Sequence, residues 1–545
     1  MGTYKNMRVE IPAGTYVQKR GEHSYVYLYT EFFRKDGKPS NKSVCIGKLD
    51  GDKLIPNDKY FELFGSLPAR SDRSVRYFGY THLARKVAEK TGLWRVVTSV
   101  FGNELGHRLL TEAIFMLGEG RSTMYRLPVW MENLYIPWVD GVIPDTVASS
   151  DFRKAGGDKE RLASFQTEWI KANNASSSYF YDVTSVSMYS TSNPIAESGY
   201  NRDGESLLQC NIGLFTSKDS GLPVFYTQYP GSIVDKTDLE YALGKAKQMG
   251  LKDFSCVMDG GFCTEDNLLF LSAAADAFTI GVPGTRKEAR RLFDDIDLNE
   301  IQSFRHSIGE HGEYGLFREV EFCGVKGRML VCLNSSMKND FIEATKKKIE
   351  LLSDKLSSLV RMPKGAKLKA FEKYFIIKPL PVSDKKRERD FLFELNPEKV
   401  DAELRYAGFF TIFTTEKDLS AKEILELYRS KDEDEKCFCS SKVFIGARRS
   451  RVHFNINLEG KNLVTFLALV IRRAMSTGLK DYLRKESSLS LPLLISKLNN
   501  MGFIKEGNEV SLLNAPSRFI KEAYSILGFD FDKEFEAIKS ELIME

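Results

Sequence analysis

The stretch from 178 to 285 constrains this chain most, because it alternates strand and helix patterns and sets one aspartate on each of two strands. SYFYDVTSVSMYS reads as a strand with a lone carboxylate, Asp182. SLLQCNIGLFT and LPVFYTQYPG flank the turn signal KDSG as a hairpin, KTDLEYALGKAKQMG has helical spacing, and DFSCVMDGG reads as a strand ending in Asp259. A helix from about 264 and the strand AFTIGVPG complete the order β-β-β-α-β-α-β. Crossover handedness places the fourth strand beside and parallel to the first, so Asp182 and Asp259 are expected to converge. Asp203, Asp235 and Asp238 are expected at turns or helix starts.

That order is the one of the ribonuclease-H-like fold. The expected class is therefore α/β, with a ribonuclease-H-like core at 177–285 and 405–476, interrupted at 286–404 by an inserted β-rich and helical domain. A β-rich segment at 1–66, a candidate DNA-binding part, and a helical segment at 67–176, for DNA binding or packing, precede it. A helical region at 477–545 follows as a candidate dimerisation element. Within the first segment, residues 22–50 read as a hairpin whose tip carries Arg34, Lys35, Lys38 and Lys42. Such a tip serves either DNA contact or protection of a sheet edge. Within the insertion, Ile342, Ile349, Leu352, Leu356 and Leu359 follow a heptad seam that packs within the chain or pairs two protomers.

The 78 Lys+Arg against 74 Asp+Glu leave only +4, so a nucleic-acid partner has to be met by a local basic patch. Lys442 to Lys485 is such a patch, with ten Lys/Arg against Glu459 and Asp481. Arg448, Arg449 and Arg451, in the loop-like ARRSR, are its DNA candidates, whereas Arg472 and Arg473 follow an apolar helix and also suit a solvated face. The eight cysteines show no CxxC spacing and read as reduced, buried thiols, and the six histidines form neither HExxH nor HxxxH, which argues against protein-bound zinc. The amino terminus lacks a signal-peptide apolar core, and LVTFLALVI at 463–471 is far short of the about 20 residues a membrane span takes. A cytoplasmic, nucleoid-associated protein with no membrane partner is expected.

A helix is expected from Ser420 to about Lys442. Tyr428, Lys431, Glu435 and Lys442 on it fall inside an arc of about 60° at about 100° per residue, so a tyrosine, a carboxylate and two cations share one stripe. A solvated face with Lys431 paired to Glu435 would give the same stripe. Joined by Asp182 and Asp259, however, Glu435 makes a third carboxylate, and three carboxylates from two strands and a facing helix suit a pair of hard divalent cations and phosphodiester chemistry.

YFYDVTSVSMYS, SGYNRDGESLLQCNIGLFTSKDSGLPVFYTQYPGSIVDKTDL, VMDGGFCTEDNL and LYRSKDEDEKCFCSSK together resemble the catalytic blocks of DDE transposases encoded by bacterial insertion sequences. They are similar in particular to the group with a tyrosine, arginine, glutamate and lysine signature on the last catalytic helix and a β-rich insertion before it. The resemblance runs from about 70 to 530. It implies Asp182, Asp259 and Glu435 as catalytic and metal-binding residues for two Mg²⁺ or Mn²⁺ ions. It also implies Tyr428, Lys431 and Lys442 as contacts to transposon-end DNA. The implied activity is cutting and joining of DNA by a homodimer on paired terminal inverted repeats and target DNA. Three positions depart from the group: Lys431 stands where arginine is usual, which loses bidentate phosphate recognition, Gly260 where many members have arginine, and Asp432 where an aromatic is common. A DNA-binding derivative that no longer cuts, and another ribonuclease-H-like endonuclease, are the alternatives.

Overall fold

The computed structural model describes residues 7–544 apart from 22, 36–37, 66–73, 174–177, 234, 253, 310–311 and 381–388, with the backbone alone for 235–236 and 432–435. The chain forms two compact units, one from residues 1–78, 500–518 and 530–545, the other from 79–499 and 519–529.

In the first unit, β1 (Thr15–Arg20), β2 (His23–Lys35), β3 (Lys38–Asp50) and β4 (Lys53–Pro56) form an antiparallel sheet in that order. Strand alternation divides its faces: Val26 and Leu28 of β2 join Val44, Ile46 and Leu54 in a small core, and Tyr25, Tyr27 and Tyr29 face the other way. The turn at the hairpin tip lies outside the described residues. A further strand, β5 (Ser74–Tyr77), pairs with Gly502–Glu506, which forms a hairpin with Glu509–Leu512.

The second unit is built on one large mixed sheet. Its strands are β6 (Ser178–Met188), β7 (Leu208–Ser217), β8 (Pro223–Pro230), β9 (Ser255–Met258), β10 (Ala277–Val282), β11 (Glu313–Phe322), β12 (Val325–Asn334) and, after the separate hairpin β13 (Phe375–Pro379) and β14 (Phe391–Leu395), β15 (Phe409–Thr414) and β16 (Arg449–Ser450). The spatial order is β11-β12-β15-β10-β9-β6-β7-β8, with β16 beside the end of β6. β6, β7 and β8 are antiparallel neighbours, and β9 is parallel to both β6 and β10. The fourth strand of the run thus lies against the first, after a crossover through the helix Asp235–Gln248.

Both faces of this sheet are covered. Tyr179, Tyr181, Cys256 and Met258 pack with Leu239, Leu243, Leu268 and Leu271 of the two crossover helices. Phe180 and Val257, of opposite parity, pack with Ile424, Leu425 and Leu427 of the helix Ala421–Arg429. Because side chains alternate, Asp182 has the parity of Phe180, and Asp259 that of Val257. Both aspartates therefore belong to the face covered by Ala421–Arg429.

The segment 286–404, expected as an insertion, divides in two. Its first hairpin extends the main sheet, since β12 pairs antiparallel with β15 and buries Leu330, Val331, Cys332 and Leu333 there. This pairing satisfies the free edge of β15. The remainder packs around a core of its own: Ile349, Leu352, Leu356 and Leu359 from the end of the helix Ser335–Ser358 meet Phe371, Tyr374, Phe375 and Phe391. The heptad seam is thus occupied within the chain.

The long helix Asn455–Gly478 buries fourteen residues, among them Lys461, Arg472 and Arg473. Arg473 donates from Nε to the Gly221 carbonyl at 3.1 Å, and the Arg472 guanidinium lies 3.9 Å from the Phe444 ring centre. These cations are structural and present no solvated face, so the surface basicity of 442–485 is smaller than its sequence count. All eight cysteines are unbridged. Among the described residues no helix is long and apolar enough to cross a membrane.

Candidate active site

The site lies where β6 and β9 run side by side. Tyr181 is level with Met258 across this parallel pair, so Asp182 and Asp259, the next residue of each strand path, are adjacent. Asp182 remains inside β6, opposite Leu214 of β7, and its Oδ1 accepts from the Val183 N–H at 2.8 Å. Asp259 follows the end of β9 and its side chain is 55% exposed.

The two carboxylates sit in different electrostatic surroundings. Burial dominates at Asp182 and pushes its pKa up to about 6, with the negative charge of Asp259 acting in the same direction. The Val183 N–H, Arg202 and Lys431 oppose that rise without cancelling it. Asp259 is instead held by donors: the Tyr428 hydroxyl donates to its Oδ1 at 3.3 Å, and the Lys431 ammonium is 3.4 Å from the same oxygen.

Tyr428 and Lys431 reach Asp259 because of how their helix begins and ends. Ser420 and Glu423 form a reciprocal capping box that starts the helix Ala421–Arg429. At its other end Arg429 bonds Glu313 of β11 at 2.6 Å, a carboxylate that is fully buried and also held by Asn334. The helix is thereby fixed at both ends. Gly281 of β10 makes room for the tyrosine, since a methyl group there would collide with the Tyr428 hydroxyl. Sequence reading passed over Gly281; a glycine inside an otherwise apolar strand is the signal that marks a close approach of this kind. Gly281→Ala is expected to displace Tyr428 from Asp259 and lower any Asp259-dependent reaction about tenfold at unchanged thermal stability; retention of full rate with the alanine present would remove Tyr428 from the site.

The single helix expected from Ser420 to Lys442 is interrupted. Ser430 caps the first segment, its hydroxyl donating to the Leu427 carbonyl at 2.7 Å, and Lys431 occupies a turn. A second helix, Asp432–Cys439, comes next and ends in a π-helical turn, Ser440–Phe444. The run DEDE thus begins the second helix. One continuous helical wheel consequently does not relate Tyr428 to Lys442. The backbone of Glu435 is in this second helix; its side chain, like those of Asp432, Glu433 and Asp434, lies outside the described residues. Cys437, two residues on, is buried against Thr216 of β7.

The remaining predicted cations gather elsewhere, around the loop after β6. Lys442 bonds Asp203 at 2.9 Å, and Arg448 stands 3.6 Å from Asp203 and 3.3 Å from Glu205. Arg449 bonds both oxygens of Glu205 and donates to the Tyr189 hydroxyl at 2.9 Å. Arg451 lies over the Tyr189 ring at 5.3 Å. Arg449 holds the Glu205 carboxyl below the usual range, helped by Ser187. Asp203 is thus a partner of two cations and more than a turn residue. Asp238 is buried, receiving the hydroxyls of Tyr181 and Thr227 at 3.3 Å each. The Asp235 side chain lies outside the described residues.

The donor chemistry of the carboxylate pair fits divalent magnesium or manganese, because hard cations take oxygen ligands and Asp259 already attracts an ammonium. Among the described residues no group of three or more His, Cys, Asp or Glu is assembled to hold a metal, so Asp182 and Asp259 are the described part of any such site. No family model matches this chain, and no curated protein matches it. Among solved structures, a piggyBac transposase synaptic complex with hairpin DNA is similar at a TM-score of 0.34 and 10% sequence identity, over 85% of this chain and 76% of that chain.

Proposed function

We propose that this protein is a DNA transposase of the DDE type, built on a ribonuclease-H-like core, that cuts and joins insertion-sequence ends as a homodimer on paired inverted repeats. One observation carries the reading: two aspartates stand next to each other on adjacent parallel strands, on the sheet face covered by the helix that delivers Tyr428 and Lys431. The order β8-β7-β6-β9-β10, with the first three antiparallel and the last two parallel to β6, supports the core assignment.

In this reading Asp182, Asp259 and Glu435 hold two divalent ions, which when bound activate the attacking water or 3′ hydroxyl and stabilise the leaving oxygen. The chain's own residues do the rest. Tyr428 fixes the orientation of Asp259 through its hydroxyl, and Lys431 supplies a cation that can turn from Asp259 to a nonbridging phosphate oxygen. Lys442, Arg448, Arg449 and Arg451 lie along the strand's path and neutralise phosphates. Incubating the purified protein with Mg²⁺ and a duplex carrying the inverted repeats that flank its gene tests the reading. Strand breaks at the repeat ends are expected; binding to the repeats without breaks would favour the derivative that no longer cuts, and breaks dictated by branched structure would favour a different endonuclease.

The acidic loop adds a testable point. Glu205 occupies Arg449, so a phosphate has to displace it. Glu205→Gln is expected to tighten binding to repeat DNA several-fold at low salt and to steepen its salt dependence by about 0.9 for the cation released. Weaker binding by the glutamine protein would mean that Glu205 aims the guanidinium instead of screening it.

A further inference from the structure

The solvent face of the four-stranded sheet in the first unit carries a row of aromatic rings with no role in the chemistry above. Tyr27 stacks on Tyr16 across β1 and β2 with centroids 5.4 Å apart and 19° between planes. Tyr16 meets Tyr29 at 4.9 Å, and Tyr29 meets Phe32 at 5.3 Å. An irregularity in the β2–β3 register between Tyr29 and Glu31 shifts the alternation just before Phe32. The row is also held in place: the Tyr16 and Ser43 hydroxyls share a hydrogen bond of 2.9 Å, and the Arg20 guanidinium lies over the Tyr27 ring at 5.6 Å.

Two features identify the occupant of this face. First, Phe32 at the end of the row is 74% exposed and stands opposite Asn41, an exposed amide able to meet the edge of a ring. An apolar ring left in water beside a hydrogen-bonding group suits a flat, polar-edged molecule. Second, the ring face carries cations: Arg20 and Arg34, which alternation puts on the side of Tyr16, Tyr27 and Phe32, are exposed, and neither forms an ion pair with a described residue. Exposed cations around stacked rings match a polyanion with π-faces, and in duplex DNA those faces are hidden between neighbouring bases. We infer that the Tyr27, Tyr16, Tyr29 and Phe32 row is a binding surface for single-stranded DNA, with an unpaired base stacked on Phe32 and the backbone following Arg20 and Arg34. The row belongs to the first unit, and the inference does not depend on the proposed reaction.

The test uses the full chain in metal-free buffer, so that no strand is cut, with a fluorescent oligothymidylate of about 15 nucleotides and a duplex of equal length followed by anisotropy. Phe32→Ala is expected to weaken oligothymidylate binding about tenfold and Phe32→Trp to retain it, with duplex affinity unchanged in both. Arg20→Ala with Arg34→Ala is expected to flatten the salt dependence on the single strand by about 0.7 for each phosphate no longer neutralised. Unchanged affinity of Phe32→Ala for the single strand would overturn the inference, as would an equal loss on duplex and single strand. Because Phe32 is exposed, an unaltered circular dichroism spectrum is expected for each variant, and strand cutting with Mg²⁺ by the same variants reports on the aspartate site independently.

Discussion

Asp182→Asn is expected to reduce Mg²⁺-dependent strand cleavage by at least about a thousandfold while leaving binding to repeat DNA within about twofold, because the change removes one ligand charge and keeps the side-chain volume. The raised pKa of Asp182 makes two accompanying results specific. A carboxylate whose pKa is higher in the folded than in the unfolded state binds its proton more tightly when folded. Its contribution to stability is therefore fully present at low pH and is lost as pH rises from about 4 to about 6. Without metal, the asparagine protein should then melt about 1–4 °C above the parent at pH 7 and coincide with it at pH 4. Added Mg²⁺ should raise the melting temperature of the parent and not of the variant. Proton and cation compete for the same oxygens, so parental cleavage at limiting Mg²⁺ should fall as pH drops below about 6, and raising the Mg²⁺ concentration should move that fall to lower pH. A variant that cuts at the parental rate would place the chemistry elsewhere in the chain.

That this pair of aspartates can be found at all from sequence is owed to the short range of the signals. Strand alternation is local, and in YFYDVTS a carboxylate interrupts an apolar run at a position whose parity puts it on a covered face. The crossover rule then sets β9 beside β6 without any knowledge of the rest of the fold. Features that depend on distant partners were not legible. Nothing local in KGRMLVCLN says that β12 pairs with β15, about eighty residues on, instead of belonging to a separate insertion. Arg472 and Arg473 look like solvent-facing charges until a carbonyl at Gly221 and the ring of Phe444 are brought to them. Asp203, expected at a turn, and Glu205 acquire meaning only when Lys442, Arg448 and Arg449 fold onto them.

The break in the helix expected from Ser420 to Lys442 shows the same limit at shorter range. Helical periodicity from Tyr428 to Lys442 counts residues, and it cannot register that the Ser430 hydroxyl bonds back to Leu427 while the helix stops. Tyr428 and Lys431 nevertheless both reach Asp259, because Ser430 and Lys431 keep right-handed helical dihedrals through the turn. Lys442, beyond the break and within the π-helical turn, is carried to Asp203 instead. The segment from Ser420 to Lys442 is thus two short helices, each with its own contact to the sheet.

Glu435→Gln is the second substitution expected to abolish cleavage, by a factor similar to that for Asp182→Asn, with Asp432→Asn retaining most activity. The case for residue 435 over 432 now rests on the second helix alone. Phe438 borders a small apolar cavity together with Thr184 and Val186 of β6 and Leu214 of β7, which puts that part of the helix against the strand bearing Asp182. Residue 435 precedes Phe438 by three positions and so falls on the same helical stripe, and Thr184 and Asp182 share one face of β6. Residue 432 precedes Phe438 by six positions, which at about 100° per residue is about 120° off that stripe. Asp432→Asn is accordingly expected to cost no more than about threefold in rate, measured on the same end-bearing duplex and with Mg²⁺-induced melting shifts as a second readout. If Asp432→Asn were the inactive protein and Glu435→Gln the active one, the third carboxylate would enter from the helix start, and Lys431, its immediate neighbour, would have to leave Asp259 for the site to form.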